Sequence, residues 1–86
     1  MAKLKISIIA KDKIAYQGEA ISIVVPTKAG IIEVMPEHMQ LVSALAPGEL
    51  VLNLESGKKK FFISNGVLEI RTKSNIIILT DTVSEK

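Results

Sequence analysis

Apolar and polar residues alternate along most of this chain, in short runs broken by turn residues. From Lys3 to Ala10, Leu4, Ile6 and Ile8 fall on one side and Lys3, Lys5 and Ser7 on the other, the period-two signature of a half-buried strand. Lys11-Asp12-Lys13 reads as a polar turn, and Ile14 to Gln17 as a short second strand closed by Gly18. Ala20 to Val25 sets Ile21, Ile23 and Val25 on one face, until Pro26, which lacks a ladder donor, ends the run. Thr27-Lys28-Ala29-Gly30 is the next turn and Ile31 to Met35 the next strand. The stretch from Gln40 to Leu45 is compatible with a strand or with one helical turn.

Pro47-Gly48 carries a strong turn signal, with Pro pre-set for the first central position and Gly supplying positive φ. Glu49 to Glu55 alternates again and predicts Leu50, Leu52 and Leu54 inside. Ser56-Gly57 predicts a tight hairpin into Lys58 to Ser64. Asn65-Gly66 is a second hairpin-grade dipeptide, or else a bulge in a continuous sheet. Val67 to Thr72 and Ile76 to Asp81 form a last pair around Lys73-Ser74-Asn75. Residues 83–86 are polar and are expected to fray as a tail behind one domain over 1–82.

No window supports an amphipathic helix. About eight to ten short strands, with turn signals at the spacing usual for such folds, predict an all-β architecture, a flattened β-sandwich or barrel. Composition agrees. The 86 residues are 48% hydrophobic, mainly Ile, Val and Leu, with Tyr16, Phe61 and Phe62 the sole aromatics. β-Branched side chains of this kind pack well on a pleated surface. A chain this short builds at most a single core.

Charge narrows the functional classes. A formal net charge of +2 and so few aromatics argue against nucleic-acid binding, which needs a basic face with stacking rings. The Lys58-Lys59-Lys60 run reads as a solvated strand with edge protection. No apolar run approaches the roughly 18 residues of a membrane-spanning helix, and the N-terminus shows no signal-peptide pattern. With no cysteine there is no disulfide, thiolate metal site or Cys nucleophile.

Reaction chemistry finds little support. His38, the one histidine, follows Pro36-Glu37 in a turn-rich segment, near Glu33 and Glu37 but without a second His or any Cys to complete a metal site or a catalytic set. No glycine-rich phosphate loop occurs. The expectation is a non-catalytic chain without cofactor or metal. What stands out is the clustering of turn residues and the histidine between Gly30 and Leu50, which predicts a shaped contact surface between strands.

Four pieces of that surface and its flanks, in register, resemble the N-terminal β-sandwich domain of the epsilon subunit of F-type ATP synthase. The family pattern Gly-Glu-x-Gly-Val-Leu-Pro-Gly-His-Ala-Pro-Leu is similar to Gly30-Ile31-Ile32-Glu33-Val34-Met35-Pro36-Glu37-His38-Met39-Gln40-Leu41. Leu45-Ala46-Pro47-Gly48, Ser64-Asn65-Gly66-Val67-Leu68-Glu69-Ile70 and Leu79-Thr80-Asp81-Thr82 match the later pieces, and Ala15-Tyr16-Gln17-Gly18-Glu19-Ala20 resembles the family's start. Ile31, Glu33 and Glu37 depart from it, standing where the family commonly has Glu, Gly and Gly.

The resemblance implies a rotor subunit of the central stalk, holding the gamma subunit and the ring of c subunits together in a proton- or sodium-translocating enzyme, on the cytoplasmic side of the bacterial inner membrane. Membrane association would then arise only through the complex. It implies gamma contacts at Pro36, His38, Met39, Gln40, Leu41 and Ser43. It places Lys28, Ala29, Gly30, Ile31 and Ile32 towards the c-ring, and leaves Pro47, Gly48 and Gly66 as turn residues. Many members continue into an inhibitory helical hairpin, and a chain ending after Asp81-Thr82 reads as a short form without it. Two rivals are a lipoyl- or biotinyl-type carrier, for which no lysine sits in the required hairpin motif, and an oligonucleotide-binding barrel.

Overall fold

The computed structural model describes residues 3–11, 13–36, 40–71 and 74–85. Ten strands follow in order: β1 (Leu4–Ala10), β2 (Lys13–Ala20), β3 (Ser22–Thr27), β4 (Gly30–Val34), β5 (Leu41–Leu45), β6 (Gly48–Leu54), β7 (Gly57–Ile63), β8 (Gly66–Arg71), β9 (Asn75–Thr80) and β10 (Val83–Glu85). Neighbours run β10-β7-β6-β3-β5-β8-β9-β1-β2, with β4 on the other side of β3. All the pairs are antiparallel except β1 with β9. The all-β, barrel-like sandwich expected from the alternation is present, and the ambiguous stretch before Leu45 is strand.

The path bends at β3. This strand pairs with β6 through Ser22–Val24 and reaches β5 only at Thr27 opposite Leu45. One layer therefore holds β10, β7, β6, β3 and β4, the other β5, β8, β9, β1 and β2. Between them lies a continuous apolar core: Leu4, Ile6 and Ile8 from β1, Ile23 and Val25 from β3, Leu50 and Leu52 from β6, Leu68 and Ile70 from β8, and Ile76 and Ile78 from β9. Alternation delivered these side chains to one face, as a period of two requires. Tyr16 of β2 meets Phe61 of β7 with ring centroids 5.8 Å apart and planes tilted by 60°, which braces the layers in a favourable aromatic geometry.

Several local expectations are corrected. Ile21 does not share the fate of Ile23 and Val25: it precedes β3 and is exposed. Asn65-Gly66 forms no hairpin, because β7 pairs with β6 and β10 while β8 pairs with β5 and β9. The dipeptide instead carries the chain from one layer to the other. Pro47-Gly48 is likewise a corner, since β5 and β6 border β3 and not each other. Gly48 opens β6 with the positive φ expected of it, 159°. Residues 83–85, expected to fray, form β10 against Phe61–Ile63.

Candidate functional site

The outer face of the β5-β8-β9-β1-β2 layer departs from the usual apolar-in, polar-out rule. Pairing brings Ala44 opposite Val67, Val67 opposite Leu79, Leu79 opposite Ile9, and Ile9 opposite Ile14. Paired residues share a face, so these five line up across five strands, over about 20 Å at the usual strand spacing. Val67, Leu79 and Ile14 are 40%, 45% and 58% exposed. Beside this row lies a second, Val42, Glu69, Ile77, Ser7 and Gln17, in which Val42 is 70% exposed. Such a contiguous apolar patch marks an interaction surface.

A bulge sets the end of the row. Ile8 pairs with Tyr16 and Ile9 with Ile14, leaving Ala15 as the extra residue. Without it Ile14 and Tyr16 would share a face. With it Tyr16 turns to the core and Ile14 outward, the re-aiming that bulges provide. This row escaped the sequence reading because alternation shows which residues leave the core, while only sheet order shows which of them meet.

The second candidate element is the β3–β4 hairpin. Its turn is Lys28-Ala29, both exposed, followed by Gly30 at φ of 128°, a conformation open to glycine and costly for other residues. The buried Thr27 hydroxyl donates to the Gly30 carbonyl at 2.6 Å and accepts from the Ala29 N–H at 3.2 Å, fixing the turn. Ile31 is 77% exposed on β4, whereas Ile32 packs against the core. The hairpin is tied to β5: the Lys28 N–H donates to the Ala44 carbonyl at 3.0 Å and the Ala46 N–H to the Pro26 carbonyl at 2.9 Å. The tip and the apolar row are thus parts of one rigid frame.

Of the residues expected at the first contact, Pro36 is half-buried, Gln40 is exposed, and His38 and Met39 lie outside the described residues. Leu41 and Ser43 share the face of buried Leu45, and Val42 and Ala44 take the outer positions. Among the described residues, no group of three or more His, Asp or Glu side chains is placed to hold a metal. The titration shifts belong to exposed ion pairs. Lys3 is raised above its ordinary value by the hydrogen bond it donates to Glu55, with its Nζ 2.5 Å from the carboxylate, and Lys59 likewise by the one it donates to Glu85 at 2.7 Å.

The described residues thus form an all-β body that carries an apolar outer row and a hairpin tip tied to β5. The chain belongs to the family described as the β-sandwich domain of the ATP synthase delta/epsilon chain, which it matches over residues 3–86. It is 39% identical over 79 residues to the ATP synthase epsilon chain of Leptospira interrogans, covering 92% of this chain and 61% of that one. To the epsilon chain of Alkalilimnicola ehrlichii it is 32% identical over 85 residues, with 98% and 60% covered. The chain thus spans about three fifths of the length of these relatives.

Among solved structures, it superposes with a TM-score of 0.92 on a chain of the Euglena gracilis mitochondrial ATP synthase containing OSCP, F1 and c-ring, at 25% identity over 99% of this chain and 54% of that one. A chain of the Tetrahymena thermophila central stalk and c-ring shares the fold at a TM-score of 0.79 and 13% identity, with 95% and 66% covered. The four motifs that carried the resemblance have a spatial reason. Gly48 of the second packs on Pro26, with an added Cβ 3.3 Å from that ring, beside the Gly30 hairpin that opens the first. The third and fourth meet at Thr80, described below.

Proposed function

We propose that this chain is the β-sandwich part of a non-catalytic rotor subunit in the central stalk of a proton- or sodium-translocating F-type ATP synthase, binding gamma and contacting the c-ring so that ion flow is coupled to ATP synthesis. The observation that carries the reading is the apolar row Ala44-Val67-Leu79-Ile9, a stripe on the outer face of the sandwich, in a chain of the family of the ATP synthase delta/epsilon chain. Gamma takes this face together with the adjoining Pro36–Ser43 segment, in which His38, Met39 and Gln40 supply contacts and Val42 adds an outward apolar side chain. The Lys28–Ile32 hairpin faces the c-ring, with Ile31 as its apolar tip. Torque passes between them through the backbone bonds joining the hairpin to β5. The assembly sits peripherally on the cytoplasmic side of the bacterial inner membrane.

The test is co-purification with gamma followed by analytical ultracentrifugation. One-to-one association is expected. The pair Val67→Asp with Leu79→Asp, both on the exposed face, should leave the fold intact and weaken gamma binding about tenfold to a hundredfold, the loss of two apolar anchors. Full affinity in that variant would remove the row from the interface. Absence of any complex between folded partners would overturn the rotor reading.

A further inference from the structure

Across the core from the apolar row lies the outer face of β7, β6, β3 and β4. Register puts Lys60, Val51, Val24 and Glu33 in one line over these four strands. The two ends are exposed and of opposite charge, and the valines between them are half-buried. Two residues further along each strand, exposed Phe62 on β7 and exposed Ile31 on β4 end a second line through Glu49 and Pro26. On the other side Asn53 pairs with Ser22. The buried Ser22 hydroxyl donates to the Glu33 carboxylate at 3.1 Å and accepts from the Asn53 amide at 2.8 Å, which holds the anion in place. Among the described residues no salt bridge reaches Lys60 or Glu33.

A line with a cation at one end, an anion at the other and apolar residues between them is complementary to itself when reversed. A two-fold axis lying in the face, along the strands and between β6 and β3, makes that reversal. It sets Lys60 against Glu33 of a second copy, Val51 against Val24, Phe62 against Ile31 and Asn53 against Ser22. Every contact then occurs twice, as an isologous interface requires. Glu49 and Lys58 stand at opposite margins of the face. An occupant of a single charge sign would leave Lys60 or Glu33 unanswered, whereas the chain itself answers both.

We propose that this face is an interface between two copies of the chain, joined by reciprocal Lys60–Glu33 ion pairs around an apolar centre. It measures about 20 Å each way at the usual spacings. That is small for a permanent dimer, so the pair is transient, with a dissociation constant on the order of 10–100 µM. The dimer covers Ile31 and so withholds the hairpin tip from the c-ring, a consequence that rests on the rotor reading. The dimer itself does not rest on it and is measured on the chain alone.

The test is sedimentation equilibrium at loadings on either side of that constant, with circular dichroism to check the fold of each variant. A reversible monomer–dimer equilibrium is expected. Each substitution acts twice by symmetry, so Lys60→Glu alone and Glu33→Lys alone should each weaken it about tenfold or more. The exchange Lys60→Glu with Glu33→Lys should restore it to within about threefold, because the ion pairs form again with reversed sign. A merely structural role for either residue would not be rescued in this way. If Glu33→Lys does not fold, Glu33→Gln serves, with a smaller loss expected. A chain that stays monomeric, a dimer indifferent to the single reversals, or one that the exchange fails to restore would each overturn the proposal. The Val67→Asp, Leu79→Asp pair on the opposite face should dimerise normally; loss of the dimer there would place the interface on the other layer and overturn it as well.

Discussion

At Gly66 an added methyl group would lie 2.0 Å from the carbonyl oxygen of Leu79 and 2.8 Å from the Cα of Thr80. Both obstacles are backbone, so neither can swing aside. Gly66→Ala should therefore cost upwards of about 2 kcal/mol through overpacking, visible as a marked fall in Tm. Gly57→Ala meets nothing within 4 Å, yet its φ of 137° makes the cost one of conformation alone, about 1 kcal/mol. Equal melting temperatures for the two variants would contradict this ranking. Next to Gly66 the buried Thr80 hydroxyl lies 3.1 Å from the carbonyls of Asn65 and Thr82 and 3.3 Å from that of Ser64, one of which takes its single proton. The Ser64 hydroxyl in turn accepts the Thr82 N–H at 2.9 Å. Thr80→Val, nearly isosteric, should destabilise by about 1 kcal/mol, the net value of one such bond.

Among the elements, β10 is the most lightly held. It pairs through Val83, Ser84 and Glu85 alone, and its outer anchor is the Lys59–Glu85 ion pair. That pair raises the Lys59 ammonium above its ordinary value of 10.5. A raised folded-state value means the contribution is complete below 10.5 and disappears as pH climbs through the folded value. Amide exchange at Ser84 and Glu85 should therefore rise more steeply above pH 10.5 than at Leu50 and Leu52 in the core. Parallel behaviour of both sets would show that the pair does not hold the strand. The sequence revealed the inner faces of β1 and β6 because their alternation is regular. It did not reveal β10, whose Val-Ser-Glu carries one apolar residue and reads as a polar end. Nor could it assign the Asn65-Gly66 crossing: a local dipeptide encodes a change of direction, not the strand that will be met afterwards. The Ala15 bulge was hidden for the same reason, since an extra residue is defined only against a partner.

For the molecule as a whole, 31 × 26 × 24 Å across, what was legible was the class of fold and the family, because core alternation and four spaced motifs are properties of the linear chain. The apolar row was not. It draws single residues from β5, β8, β9, β1 and β2, and their adjacency arises only when the sheet is assembled. The same assembly sets the parity of β5, with Val42 and Ala44 on the outer face and Leu41 and Ser43 on the face of Leu45. Strand parity follows from Leu45, which is fully buried at the end of β5.

The lone parallel ladder, β1 on β9 from Lys5–Asn75 to Ala10–Thr80, places a constraint on how the molecule comes into being. The β1–β2 hairpin is local and can form early, but its place in the sheet is vacant until Asn75–Thr80 has emerged. Closure of a loop that long precedes the contacts that reward it, so folding in the millisecond-to-second range of non-local β topologies is expected. During synthesis Leu4, Ile6 and Ile8 must wait without a core. A nascent chain of this kind is vulnerable at its first strand until the ninth arrives to seal it.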